Sequence, residues 1–351
     1  MPKKPAAFAA QISVPFLLLI ALATPGATKS PVSQQTPTPQ VERPRKVFPK
    51  EQEPEDVIRV DTDLVAVDVT AFDADGRPVR NLRQEDFKVF SDNSEQPISF
   101  FQLEQRQGEP RPLAVVFALD VSGSMTADEM DRLRVALHSF SNQLSNHPVS
   151  YSVVTFGMRV KQVQKFTSDP RKLENSIDRI NRDPSNGLST HTYDAVDDAI
   201  RSLVRSAPRT REKRLMKRTV VVVTDGFPVG DTVSPKTVIE RANAAEVSVF
   251  VVTLPSYSRI IASSAQAPLP TPLDVSGLAE LTGGRNVYAN EKDYAPLFRS
   301  LAEEVSSAYV LAFYPPEEKR RDGKVHTIRV EGPQGLTLRQ SRTEYRAADK
   351  P

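Results

Sequence analysis

Leu113-Ala114-Val115-Val116-Phe117-Ala118-Leu119-Asp120-Val121-Ser122-Gly123-Ser124 joins an unbroken apolar run to a short polar turn. A run of that length, closed by a turn, reads as a strand buried on both faces. Beyond Gly123, residues Met130, Leu133, Leu137, Phe140 and Leu144 recur at helical spacing, so the strand leads into a helix. The loop between them presents Asp120, Ser122 and Ser124 at the carboxyl end of the strand, where open α/β sheets bind ligands. Its donors are all oxygens, which suits a hard cation, with magnesium as the first choice. The same residues also suit a plainer task, satisfying backbone donors ahead of a helix.

Two further stretches extend the pattern. Thr219-Val220-Val221-Val222-Val223-Thr224-Asp225-Gly226 is a second apolar strand ending in Asp and Gly. Between the two strands, Ser189-Thr190-His191-Thr192-Tyr193-Asp194-Ala195-Val196 is a polar loop running into a helix. Together the three stretches resemble the von Willebrand factor A domain with its metal-ion-dependent adhesion site. That family's Asp-x-Ser-x-Ser, loop Thr and later Asp fall here on Asp120, Ser122, Ser124, Thr190 and Asp225. The chain departs from the family at Leu188, where a Gly is frequent, which affects the loop geometry and not the ligand set.

The resemblance covers roughly residues 112–310 and implies a metal site. In it Ser122, Ser124 and Thr190 supply hydroxyl oxygens, while Asp120 and Asp225 act partly through bound water and hold those hydroxyls. The implied ion is magnesium, with manganese and calcium as alternatives. Neutral direct ligands leave a dication much of its charge and replaceable water. The implied function is therefore an exported binding or adhesion module, completed by an Asp or Glu of a protein partner. The competing reading is a metal-dependent hydrolase using the same cation.

Hydrolysis needs a lowered-pKa water and usually a general base, and zinc sites need His or Cys. The chain has no Cys, and of its four histidines only His191 adjoins a proposed ligand. His191 reads as lining the site mouth, and Asp194 as orienting the loop. Phosphate-binding Gly-rich loops, dinucleotide fingerprints and Gly-x-Ser-x-Gly are missing, so a binding protein and not an enzyme is expected.

Strands and helices alternate across residues 110–307, which predicts a doubly wound, mostly parallel sheet flanked by helices. Residues 57–108 and 308–346 carry strand patterns instead. Each set is too small to cover its own apolar face. They are expected to pack together as a small β-sandwich-like domain around the inserted α/β domain, with Phe87, Phe100, Phe101, Leu311 and Phe313 in its core. An N-terminal strand-rich segment and a strand-rich tail around such a domain also resemble acidobacterial proteins with a von Willebrand A-related domain.

Residues 1–26, with Lys3, Lys4 and a short apolar run through Phe16-Leu17-Leu18-Leu19-Ile20, read as a secretory signal peptide. Residues 27–56 are a Pro-rich linker. Export to a periplasm or the cell exterior follows, with no membrane span remaining after cleavage. The formal charge of +2 disappears without Lys3 and Lys4, which argues against nucleic acid as a partner. Residues 205–218 read as a solvated basic loop opposite the metal face. Residues 255–272, with Tyr257, Ile260 and Ile261, read either as a flank of the site or as an idle flexible loop.

Overall fold

The computed structural model describes residues 63–103, 110–181, 183–187, 189–211, 214–255, 270–289, 292–306 and 309–348. The expected signal peptide and linker, and Tyr257, Ile260 and Ile261, lie outside the described residues. First in chain order come β1 (Val65–Phe72), β2 (Pro78–Val79), β3 (Lys88–Ser91), β4 (Ser94–Gln96) and β5 (Phe100–Leu103). The α/β part follows as β6 (Leu113–Asp120), α1 (Ala127–Gln143), β7 (Val149–Phe156), β8 (Lys161–Thr167), α2 (Pro170–Asp178) and α3 (Thr192–Ser206). It continues through β9 (Thr210–Arg211), β10 (Arg214–Leu215), β11 (Lys217–Thr224), α4 (Pro235–Ala244), β12 (Val247–Thr253), β13 (Asn286–Tyr288) and α5 (Ala295–Ser306). The tail adds β14 (Tyr309–Phe313), β15 (Val325–Glu331), β16 (Thr337–Gln340) and β17 (Glu344–Arg346).

The central sheet runs β13-β12-β11-β6-β7-β8, parallel except for the antiparallel edge strand β8. Val220 of β11 lies between Val116 of β6 and Val249 of β12, so apolar β-branched residues stack across the middle. Leu113, Val115, Phe117 and Leu119 enter the core shared with α1, α2 and α5. Ala114, Val116 and Ala118 enter the opposite core, with α3 and α4. Burial on both faces is what the unbroken apolar run requires. Helix starts follow their capping residues: Thr126 and Glu129 form a capping box on α1, and Asp169 and Ser234 cap helices that open on Pro170 and Pro235.

The terminal strands build one sandwich. One sheet has the order β16-β1-β14-β5, with β2 on β1, and the other β17-β15-β3-β4. Each mixes strands from before and after the α/β domain, for example Val67 opposite Leu311 and Val89 opposite Val330. Phe87, Val89, Tyr309, Leu311, Phe313 and Ile328 share its core. Phe100 is a correction, at 38% exposed. Successive strand residues point to opposite faces, so Phe100 and Phe101 cannot both turn inward, and Phe101 is the one that packs. The strand pattern at the end of residues 308–346 resolves into two short strands, β16 and β17. The chain turns at Ser341, Arg342 and Thr343, so that β16 joins one sheet and β17 the other.

Residues 205–218 are a second correction. Arg218 is buried and donates to the carbonyls of Ala207 and Ala245. Arg209 pairs with Glu246, and Arg214 donates to Pro110 O at 3.0 Å. Arg205, Arg209 and Arg211 are exposed as read, and the correction falls on the end of the stretch, where Lys217 and Arg218 are drawn into the amino end of the sheet and Arg218 finds backbone carbonyls there.

Candidate metal centre

Asp120 ends β6 and Thr224 ends the adjacent β11, so the parallel register brings them side by side. Asp120 is completely buried. Its Oδ1 accepts from Ser122 N at 2.8 Å and its Oδ2 from Thr224 Oγ1 at 2.8 Å. Ser122 Oγ lies 2.9 Å from Ser124 Oγ, and Ser124 Oγ donates to Asp225 Oδ2 at 2.6 Å. A hydroxyl has one hydrogen. Ser124 spends its own on Asp225, so Ser122 is the donor in the serine pair. Phe227 N, at 3.2 Å, holds the other oxygen of Asp225. The relay Ser122–Ser124–Asp225 thus ties the β6 loop to the β11 loop.

Thr190, also buried, stands on a loop fixed at both sides. Its N–H donates to Val229 O and its carbonyl accepts from Val229 N, both at 3.0 Å. The next residue, His191, donates its N–H to Gly157 O at 3.1 Å, just past β7. Gly123 N donates to Gly187 O at 2.8 Å, which brings two backbones together. A Cβ on Gly123 would lie 2.8 Å from that same oxygen, so only glycine fits. Asp120, Ser122, Ser124, Thr190 and Asp225 therefore all come to the carboxyl end of the sheet.

Burial, with the charge of Asp225 adding to it, pushes the Asp120 carboxyl up to about 7. Burial also raises Asp225. In both cases a place poor in water disfavours the charged form, and a cation beside the pair would favour it. Among the described residues no group of three His, Cys, Asp or Glu could hold a metal by itself. Any ion here depends on the hydroxyls, and a set of hydroxyls and carboxylates fits a hard cation.

Asp194 acts as a loop clamp. It accepts from Thr232 N, Thr232 Oγ1 and Val233 N, and lies 3.0 Å from His191 Nδ1. Sequence reasoning missed Thr224 as a support of Asp120. The signal was a hydroxyl residue closing an apolar strand immediately before Asp225. It also missed Glu129, a buried acid whose charge bears on Asp225, although the Thr126-x-x-Glu129 capping box is legible in the sequence.

Residues 114–268 match the family model described as von Willebrand factor type A domain. No curated protein matches the chain. Among solved structures, a von Willebrand factor type A protein from Catenulispora acidiphila is 13% identical, covering 75% of this chain and 76% of its own, at a TM-score of 0.44. The conserved hypothetical protein BatB from Bacteroides thetaiotaomicron is 18% identical over 55% of this chain and 97% of its own, at 0.41. Proximal thread matrix protein 1 of the mussel byssus, with a zinc-occupied MIDAS motif, is 12% identical over 57% of this chain and 47% of its own, at 0.42. Among the described residues no helix is long and apolar enough to cross a membrane. The segment that matches this family model, residues 114–268, lies in the α/β part of the chain, set between the two halves of a β-sandwich.

Proposed function

We propose that the protein captures a partner protein through a divalent cation held at Asp120, Ser122, Ser124, Thr190 and Asp225. The observation that carries this reading is the Ser122–Ser124–Asp225 relay, set between two buried carboxylates. Asp120 and Asp225 orient the hydroxyls, and Thr190 is presented by a loop fixed on two neighbours. Ser124 is half-buried and forms the side of the site open to solvent. When bound, the cation supplies a fixed positive charge that an Asp or Glu of the partner can reach. Magnesium suits this donor set best, because it commonly keeps exchangeable water.

The site works by binding and not by turnover. His191, the histidine nearest the ligands in sequence, is turned to Asp194, which suits a clamp more than a base. Export belongs to the same reading and rests on the N-terminal sequence alone. Calorimetry with magnesium and manganese tests the proposal. One site is expected, lost in Asp120→Ala, and partner capture should fail in chelator and in Thr190→Ala. Equal cation binding by Asp120→Ala would overturn the assignment, and hydrolysis of phosphoester or peptide substrates would overturn the non-enzymatic reading.

A further inference from the structure

Beside the metal loop lies a cleft of about 500 Å3 between the start of β8 and α2. Val121, the residue between Asp120 and Ser122, forms part of its lining. Asp183, also in the lining, donates its backbone N–H to Val121 O at 2.8 Å, so cleft and metal loop share a wall. The cleft is basic. Lys161, Lys172 and Arg179 line it against one acid, Asp183. That acid is already engaged by the N–H and hydroxyl of Ser185, which hold its carboxyl below the usual range.

The charge is sorted by the helix. Lys172, Asn175, Ser176 and Arg179 recur at helical spacing and all face the cleft, while Leu173 and Ile177 hold α2 in the core. Asp178 is turned to α1, where His138 Nε2 lies 2.9 Å from it. Among the described residues Lys161, Lys172 and Arg179 make no ion pair, and all three are exposed. Isolated surface lysines are ordinarily just solvated. These cations differ in being gathered in a concave wall that continues from the metal loop.

We infer that this cleft is the second half of the partner site and takes an acidic protein segment, with further Asp or Glu residues flanking the one that reaches the cation. The inference rests on the cation-dependent reading above. The ion fixes one carboxylate in place, and the cleft selects the neighbouring charges and speeds encounter through complementary potential.

The test uses a fluorescent Glu-rich peptide and the full chain, read by anisotropy in magnesium and in chelator, at low and high salt. Lys172→Glu/Arg179→Glu should bind the peptide roughly tenfold more weakly, with a smaller salt dependence, and should keep its magnesium affinity, which also reports folding. Ser124→Ala should lose the magnesium-dependent part of binding and keep the salt-sensitive remainder. Unchanged peptide affinity in the charge-reversed variant, or no peptide binding under any condition, overturns the cleft inference and leaves the cation reading standing. Equal affinity in magnesium and chelator, with loss on charge reversal, overturns the cation reading and supports the cleft. Capture of anionic lipid vesicles in place of the peptide, lost in the same variant, overturns the acidic segment in favour of a membrane surface.

Discussion

Arg111 precedes β6 and Asp120 ends it; both are buried, and they are satisfied in opposite ways. Arg111 meets Asp68 at 2.7 Å and also donates to Leu215 O. Nearby, Glu246 takes both Arg209 and Arg342, and Glu304 takes Arg339 at 2.5 Å and Arg285 at 2.7 Å. The Arg285 contact is a close ion pair without the alignment of a hydrogen bond. At the other end, Asp120 and Asp225 accept only from hydroxyls and amides, and among the described residues no Lys, Arg or His pairs with either. The amino end neutralises its charges within the chain and thereby fixes the sandwich to the α/β domain. The carboxyl end gathers two buried carboxyl groups that meet only neutral donors.

The amino end even tolerates backbone strain for this purpose. Glu246 follows the α4 cap with φ of 54°, in the left-handed region usually left to glycine. That conformation costs about 1–2 kcal/mol for an ordinary residue. It places the carboxylate between two arginines, one of them, Arg342, almost fully buried.

The largest expected effect breaks this end. Asp68→Ala leaves Arg111 buried without its acid, which should cost about 3–5 kcal/mol in denaturant unfolding. Asp68→Ala combined with Arg111→Met should recover most of the loss, because the uncompensated charge is then gone. A loss below about 1 kcal/mol in the single variant would mean that the pair is bystander to stability.

Next in size is the effect of filling the opposite end. Magnesium at a hundred times its Kd should stabilise the folded chain by about 2.7 kcal/mol, as mass action requires. Asp120→Ala should abolish that gain while leaving the response to Asp68→Ala intact. If magnesium stabilises Asp120→Ala as much as the parent, the carboxyl end is not where the cation binds and the contrast between the two ends falls.

The two ends also differed in legibility. The carboxyl end was readable because its chemistry sits in short contiguous motifs closing apolar strands: Asp120-Val121-Ser122-Gly123-Ser124 and Thr224-Asp225-Gly226. The doubly wound sheet followed from the same runs. The amino end was not readable, because its partners are far apart in sequence: Arg111 with Asp68, Arg342 with Glu246, Arg339 with Glu304. Only the folded chain brings them together, so residues 205–218 looked like a solvated loop. That the terminal strands pair could be inferred from the apolar faces each set leaves uncovered. The break of the last strand at Arg342 carries no turn signal such as Gly or Pro, and there the side chain reaches Glu246 and the carbonyl of Ala66, partners far away in sequence.

A smaller effect is expected at the loop that follows β6. Gly123→Ala sets a Cβ against the carbonyl oxygen of Gly187, backbone that cannot give way without moving the loop. Cation affinity should weaken about tenfold, near 1.4 kcal/mol, with little change in the unfolding of the sandwich. Titration calorimetry on the variant checks this, and an unchanged affinity would show that the loop adjusts freely.

The smallest expected effect is the part of the pH dependence that His326 contributes in the sandwich. His326 lies between two carboxylates, with Nδ1 2.8 Å from Asp92 and Nε2 3.0 Å from Asp322. Burial works against its charged form, but the hydrogen bonds to Asp322 and Asp92 outweigh it and raise its pKa above the ordinary histidine value. A histidine raised on folding contributes stability that is complete below its unfolded pKa, about 6.5, and that is lost as pH rises through the folded value. The sandwich should therefore unfold more readily as pH increases from 6, and His326→Gln should flatten the curve. The change stays small because Asp92 keeps Lys319 at 2.9 Å and the N–H of Thr327 at 3.0 Å when the imidazole loses its proton. The tight turn at Asp92 and Asn93, both at positive φ between β3 and β4, stays anchored by those contacts. Denaturant midpoints that rise between pH 6 and 8 in the parent, or a slope equally steep in His326→Gln, would remove the imidazole from this role.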